Sequence, residues 1–248
     1  MIDTSIIIAS LIIAVSATVQ GITGFGFSLV AFPLLAILLP VNVITPILVL
    51  CSLITNIMIL RSVPGVTSKG IKMMSLIAIL ATPFGAYLLK VVSPEILKAA
   101  VGIILSGTSL FMLKGYRIKF RRELLAKGVT GFFSGLLNGT LSMSGPPIIL
   151  YLSNQGAAKD NVRGSFSLFA LITNIFAIAT LIYTDIITMP VFMQFAKLIP
   201  ALFIGVYAGI LISKHVNEVQ FKQITLYLLL IMGISTIISS AVYIFSQL

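Results

Sequence analysis

Two stretches of this chain set helix-breaking residues in the middle of apolar sequence, and they limit what the rest can fold into. Gly131 to Leu152 reads GFFSGLLNGTLSMSGPPIILYL, and Gly21 to Leu35 reads GITGFGFSLVAFPLL. Glycine weakens a helix and proline removes a backbone donor. In lipid an unpaired backbone group finds no water, so such a break is tolerated only where it is buried in protein or lines a cavity. Each break therefore marks a candidate site. The two stretches also align without a gap, because Gly21 with Gly135, Ser28 with Ser142 and Pro33 with Pro147 share one offset. Further on, Leu53-Ile54-Thr55-Asn56-Ile57 recurs unchanged as Leu171-Ile172-Thr173-Asn174-Ile175, and Lys98 meets Lys222. We read residues 1–113 as one repeat, 114–123 as a basic linker loop and 124–248 as a second repeat, all within a single membrane domain.

The chain is 58% hydrophobic and only 9% charged, with a mean hydropathy of +1.16. A soluble domain carries roughly 25% charged residues, so this is the composition of an integral membrane protein. Long apolar runs between short polar turns predict helices of about 20 residues, the length that crosses a bilayer core of about 30 Å. The alternation of a β-barrel is absent. The net charge of +10 does not point to nucleic acid. Six of the sixteen basic residues (Lys114, Arg117, Lys119, Arg121, Arg122 and Lys127) crowd one short loop, which the positive-inside bias places in the cytoplasm. Cys51 is the only cysteine, so no disulfide and no cysteine metal site forms within one chain. The N-terminal apolar run has Asp3 where a signal peptide has basic residues and is expected to belong to the mature domain.

Full spans are expected at Asn42–Leu60, Met73–Leu89, Ile96–Leu113, Gly164–Tyr183, Pro190–Ser213 and Val219–Phe245, with Ser93-Pro94-Glu95 opening the third. Ser5 to Val19 and Phe27 to Leu39 each look too short to cross alone, and 124–152 is a second broken segment. Each broken segment is either one interrupted crossing or a re-entrant hairpin. Charge placement favours the hairpin. With the 114–127 loop inside, Arg61, Lys69, Lys72, Lys159, Arg163, Lys214, His215 and Lys222 then also fall inside, while Asp3, the uncharged turn at Pro40 to Asn42, Lys90, Glu95, Lys98 and Asp185 fall outside. The expected fold is an all-α membrane protein of two inverted repeats, each a broken helical hairpin plus three transmembrane helices.

No set of side chains for covalent chemistry is evident. The carboxylates Asp3, Glu95, Glu123, Asp160, Asp185 and Glu218 all sit at expected ends or loops, as does the single histidine, His215. Acid–base catalysis and a protein-built metal centre both lack parts, so an enzyme is not expected and no cofactor is implied. The breaks supply backbone instead. A helix that stops and restarts leaves amide N–H groups free, and its N-terminal dipole favours negative charge. Inverted-repeat transporters place such ends around their substrate. The candidate substrate-binding groups are Gly24, Phe25, Gly26 and Ser28 in the first break, and Gly139, Thr140, Ser142, Ser144 and Gly145 in the second. Pro146 and Pro147 suit the first turn of a restarting helix. Asn56 and Asn174 occupy matching positions in two spans and suit either the same cavity or an interhelical hydrogen bond. Lys197 is the basic residue deepest in an expected span, with roles either toward an anion or as a side chain that snorkels to the interface. Arg163 opens a span and reads as an interfacial anchor. Close packing through small residues is the competing role for the glycines.

With Gly21-x-x-Gly24-Phe25-Gly26 through Pro33-Leu34, and Gly135 through Gly145-Pro146-Pro147 to Tyr151-Leu152, the chain resembles the TauE/SafE sulfite exporter family of membrane transporters. The second copy departs from the glycine-rich pattern at Asn138, Thr140, Leu141, Ser142 and Met143. The resemblance implies transport of a small sulfur-containing anion such as sulfite, sulfoacetate or another organosulfonate. It also implies a bacterial inner, or plasma, membrane location. The partners expected are that anion and the lipid bilayer, with no nucleic acid; a homodimer is compatible with the sequence. Export by alternating access is the leading reading. A membrane scaffold without transport, an ion-coupled importer, and a membrane enzyme with a borrowed metal are the alternatives.

Overall fold

In the computed structural model, residues 4–35, 38–39, 41–63, 66, 70–91, 94–116, 122–141, 144–183 and 185–246 are described. Ser142 and Met143 of the second break, the Ser93 cap, Asp3, Lys69 and residues 117–121 of the basic loop lie outside them. The described residues form helices α1 (Thr4–Thr23), α2 (Phe27–Leu35), α3 (Val41–Ser62), α4 (Ile71–Val91), α5 (Pro94–Leu113), α6 (Glu123–Leu141), α7 (Gly145–Asn154), α8 (Lys159–Tyr183), α9 (Met189–His215) and α10 (Glu218–Ser246). No strand occurs among them. The protein is an all-α, multi-pass membrane protein. Among the described residues, five helices are long and apolar enough to cross a bilayer, spanning Ser5–Thr23, Val43–Ser62, Lys159–Tyr183, Met189–His215 and Glu218–Ala241.

Charge placement explains several boundaries. Glu123, Asp160 and Glu218 stand in the first turns of α6, α8 and α10. Arg61 stands in the last turn of α3, and Lys214 and His215 in that of α9. Each sign complements the helix dipole at its end. Pro190 lies in the first turn of α9, where its missing N–H costs nothing. One expectation is corrected. The first apolar run does not stop at Val19, because α1 continues through Gly21 to Thr23 and is long enough to cross alone. Of the two pieces of the first broken segment, α2, at 9 residues, is the short one.

The chain divides into two compact units, residues 1–68 with 163–217 and residues 69–162 with 218–248, so each unit draws on both halves of the sequence. In the first unit α1 runs along α9. A Cβ on Gly21 would lie 2.8 Å from the Gly209 Cα and the Val206 carbonyl, and one on Gly205 would collide with the Ala14 backbone. The Thr18 hydroxyl reaches the Gly205 carbonyl across this seam at 3.1 Å. Backbones this close exclude larger side chains, which is why glycine interrupts an otherwise bulky apolar pattern. Ile13, Phe27, Leu35, Ile44, Ile47, Leu202 and Val206 fill the core beside the seam.

The second unit has a counterpart seam, with α6 along α4, where Gly131 abuts the Met74 backbone and Gly135 the Ala78 backbone. Partners rise together in number along both seams, so these pairs run parallel. The α5 and α10 pair runs the other way, since Gly102 meets Ile237 while Ser106 meets Gly233.

Candidate functional site

The first break is closed by local hydrogen bonding. Gly24 adopts φ +83°, and its N–H donates to the Gln20 carbonyl at 2.6 Å, the left-handed C-terminal cap of α1. The Thr23 hydroxyl sits 2.7 Å from the Phe25 carbonyl and 2.8 Å from that of Val19, tying the turn to the helix it leaves. Phe25 is fully buried and packs edge-on against Phe166, with ring centroids 6.3 Å apart. Gly26, at φ +94°, then opens α2 by accepting the Val30 N–H at 3.1 Å. Two of the three residues read as amide donors are thus engaged: the Gly24 N–H caps α1, and the Phe25 N–H faces the Thr23 hydroxyl at 3.4 Å. The donors that remain are the Gly26 N–H and those of the first turn of α2. The Phe27, Ser28 and Leu29 N–H groups have no partner among the described residues, and Ser28 is partly buried.

A buried cation lies against this break. Arg163, in the second turn of α8, is only 3% exposed, and its guanidinium donates to the Gly21 carbonyl at 2.7 Å. A Cβ on Gly24 would stand 2.7 Å from the Arg163 Cα, so the turn is pressed directly onto the arginine. The reading of Arg163 as an interfacial anchor is corrected here. Helix α8 starts at Lys159 instead of Gly164, which carries Arg163 inward to cap α1, whose last carbonyls form the negative end of its dipole. The result is a buried permanent positive charge at the C-terminal end of α1, against the turn that leads into α2.

One helical turn before the break, Gln20 begins a polar chain. Its amide donates to the Asn56 side-chain oxygen at 3.1 Å, and its own oxygen accepts from the Thr55 hydroxyl at 3.0 Å. Asn56 donates to the Ser52 carbonyl at 2.7 Å and to the Ser52 hydroxyl at 3.0 Å, and Asn174 donates to the same hydroxyl at 3.1 Å. The two asparagines of the repeated pentapeptide therefore meet through one serine. Gln20, Thr55 and Asn56 are buried, whereas Ser52 and Asn174 are partly exposed.

The second break belongs to the other unit. Helix α6 runs through Gly139 and Thr140 to Leu141, and α7 restarts after Ser144 with Gly145 buried. Pro146 and Pro147 occupy its first turn as expected. They also remove two of the N–H groups that a helix start would otherwise present. Ser142, and the Gly139 and Thr140 side-chain positions, lie outside the described residues. Lys197 is exposed on α9, off the stripe formed by Val191, Phe195, Leu198 and Leu202. Such exposure fits a snorkelling side chain. Among the described residues no three His, Cys, Asp or Glu side chains gather to hold a metal.

The family model described as sulfite exporter TauE/SafE matches residues 8–236. The chain belongs to that family. No curated protein and no solved structure matches it. Membership makes this TauE/SafE protein a membrane transporter, and both breaks and the polar chain fall inside the matched residues. What sequence reading missed is Arg163, Gln20 and Ser52. The first looked interfacial, and the others are small or neutral polar residues in apolar runs, with partners remote in sequence.

Proposed function

We propose that this TauE/SafE protein exports a small sulfur-containing oxyanion, such as sulfite, sulfoacetate or another organosulfonate, across the bacterial inner membrane by alternating access. The substrate is held at the first helix break by the α2 amides and Ser28. The observation that carries this reading is the buried Arg163 guanidinium bound to the Gly21 carbonyl at the first break, in apolar helices and just before the α2 turn whose N–H groups are unmet. The antiparallel pairing of α5 with α10, each the last helix of its half, supports an inverted repeat. On that topology the 114–127 loop is cytoplasmic.

The described carboxylates of α6, α8 and α10 stand in first turns, away from the helix middles where a proton-coupled carrier keeps its acids. Outward movement of an anion is then driven by the membrane potential, worth about 2.3 kcal/mol per charge per 100 mV. Thermal unfolding of the purified protein against sulfite and methanesulfonate tests the binding step. Saturable stabilisation of the wild type, lost in Arg163→Gln, is expected. Equal stabilisation of both proteins removes Arg163 from the site.

A further inference from the structure

The hydrogen count of the polar chain divides its members into contacts and supports. A carboxamide carries two N–H donors and a serine hydroxyl one. Asn56 spends both of its amide hydrogens on Ser52, and its oxygen accepts from Gln20. Although the sequence placed Asn56 and Asn174 on equal terms, Asn56 has nothing left to offer a ligand. Asn174 spends one amide hydrogen, on the Ser52 hydroxyl, and Gln20 spends one, on Asn56. The Ser52 hydroxyl accepts twice, and its own proton has no partner among the described residues. The surplus is thus one hydrogen each on Gln20, Ser52 and Asn174. It does not depend on which way the Asn174 amide faces: turned over, Asn174 accepts from Ser52 and keeps both its own hydrogens. Of the three, only the Gln20 hydrogen is on a buried side chain; those of Ser52 and Asn174, on partly exposed side chains, are open to an acceptor from outside the chain.

We propose that the partly exposed Ser52–Asn174 edge binds the oxygen atoms of the transported anion through neutral donors, with Gln20, Thr55 and Asn56 as positioning residues. The inference rests on the transport reading above and narrows its substrate class. An edge of neutral hydrogens, with no charge of its own, favours an anion that spreads its charge over several oxygens on one centre, a sulfonate or sulfite, over a monatomic anion of equal charge. The positioning residues fix the direction of the edge: the Asn56 amide bonds to both the hydroxyl and the carbonyl of Ser52, and Gln20 holds Asn56 from α1.

Isothermal titration of the full chain in detergent with methanesulfonate and with chloride tests this, using the wild type, Asn174→Leu and Ser52→Ala. Both variants are expected to bind methanesulfonate about tenfold more weakly while chloride affinity changes less than threefold, so selectivity falls. A variant that only loosened the packing would weaken both anions alike. Asn174→Leu is close in volume, and Ser52→Ala reads the same edge should the leucine prevent folding. Unchanged methanesulfonate-to-chloride selectivity in a folded variant overturns this proposal and leaves the transport reading standing. A wild type that binds neither anion overturns both.

Discussion

The first break contains two glycines with left-handed backbones, and their surroundings predict different costs for the same substitution. Alanine at φ +83° or +94° carries a conformational cost of roughly 1–2 kcal/mol. At Gly26 little is added, since the nearest atom to a new Cβ is the Val19 Cγ1 at 3.8 Å, an ordinary contact. At Gly24 the Cβ would lie 2.7, 2.8 and 2.9 Å from the Cα, Cγ and Cβ of Arg163. Overpacking against a backbone atom that cannot swing aside adds about 1–3 kcal/mol. Gly24→Ala is therefore expected to cost about 2–5 kcal/mol and Gly26→Ala about 1–2 kcal/mol. For a chain of this size each kcal/mol moves the midpoint by about 2–4 °C. The lone buried thiol of Cys51 provides the assay, because a thiol-reactive dye lights up only as the fold opens. In one detergent, Gly24→Ala should melt about 2–12 °C below Gly26→Ala. Equal melting temperatures, or the reverse order, would refute the packing of Arg163 against the break.

The α1–α9 seam makes a second prediction: Gly205→Val forces a branched side chain into the Ala14 backbone and should lower stability by about 3 kcal/mol. A melt within about 1 °C of the wild type would mean that the two helices are not in backbone contact. At the break itself, Arg163→Lys keeps the charge but loses the planar fork. It should retain weak sulfite-dependent stabilisation where Arg163→Gln retains none; identical loss in both would mean that the charge alone is not what the anion reads.

Much of the architecture is legible in the residues. Asn42 to Leu60 becomes α3, Met73 to Leu89 becomes α4, and Pro94 and Pro190 open helices, because apolar run length and proline placement are local properties. The length of α1 was not legible, since Gly21 reads as a breaker until Gly209 is seen against it, and then it reads as the residue that lets two helices touch. Arg163 was misread for a related reason. Its burial is decided by Gly21 and Gly24, far earlier in the chain, and by a helix start at Lys159 that the polar Lys159-Asp160-Asn161 sequence disguises as a loop. The repeated pentapeptide singles out the two asparagines, but their unequal hydrogen counts follow from Ser52, whose counterpart in the second copy is Ala170.

The most direct test is flux from proteoliposomes loaded with sulfite, with the membrane potential clamped by potassium and valinomycin and the pH gradient set independently. Saturable efflux that rises with inside-negative voltage, ignores an imposed pH gradient and disappears in Arg163→Gln is the predicted result. Efflux that follows the pH gradient and ignores voltage, or that persists unchanged in Arg163→Gln, would contradict a voltage-driven anion carrier built on a charged helix break.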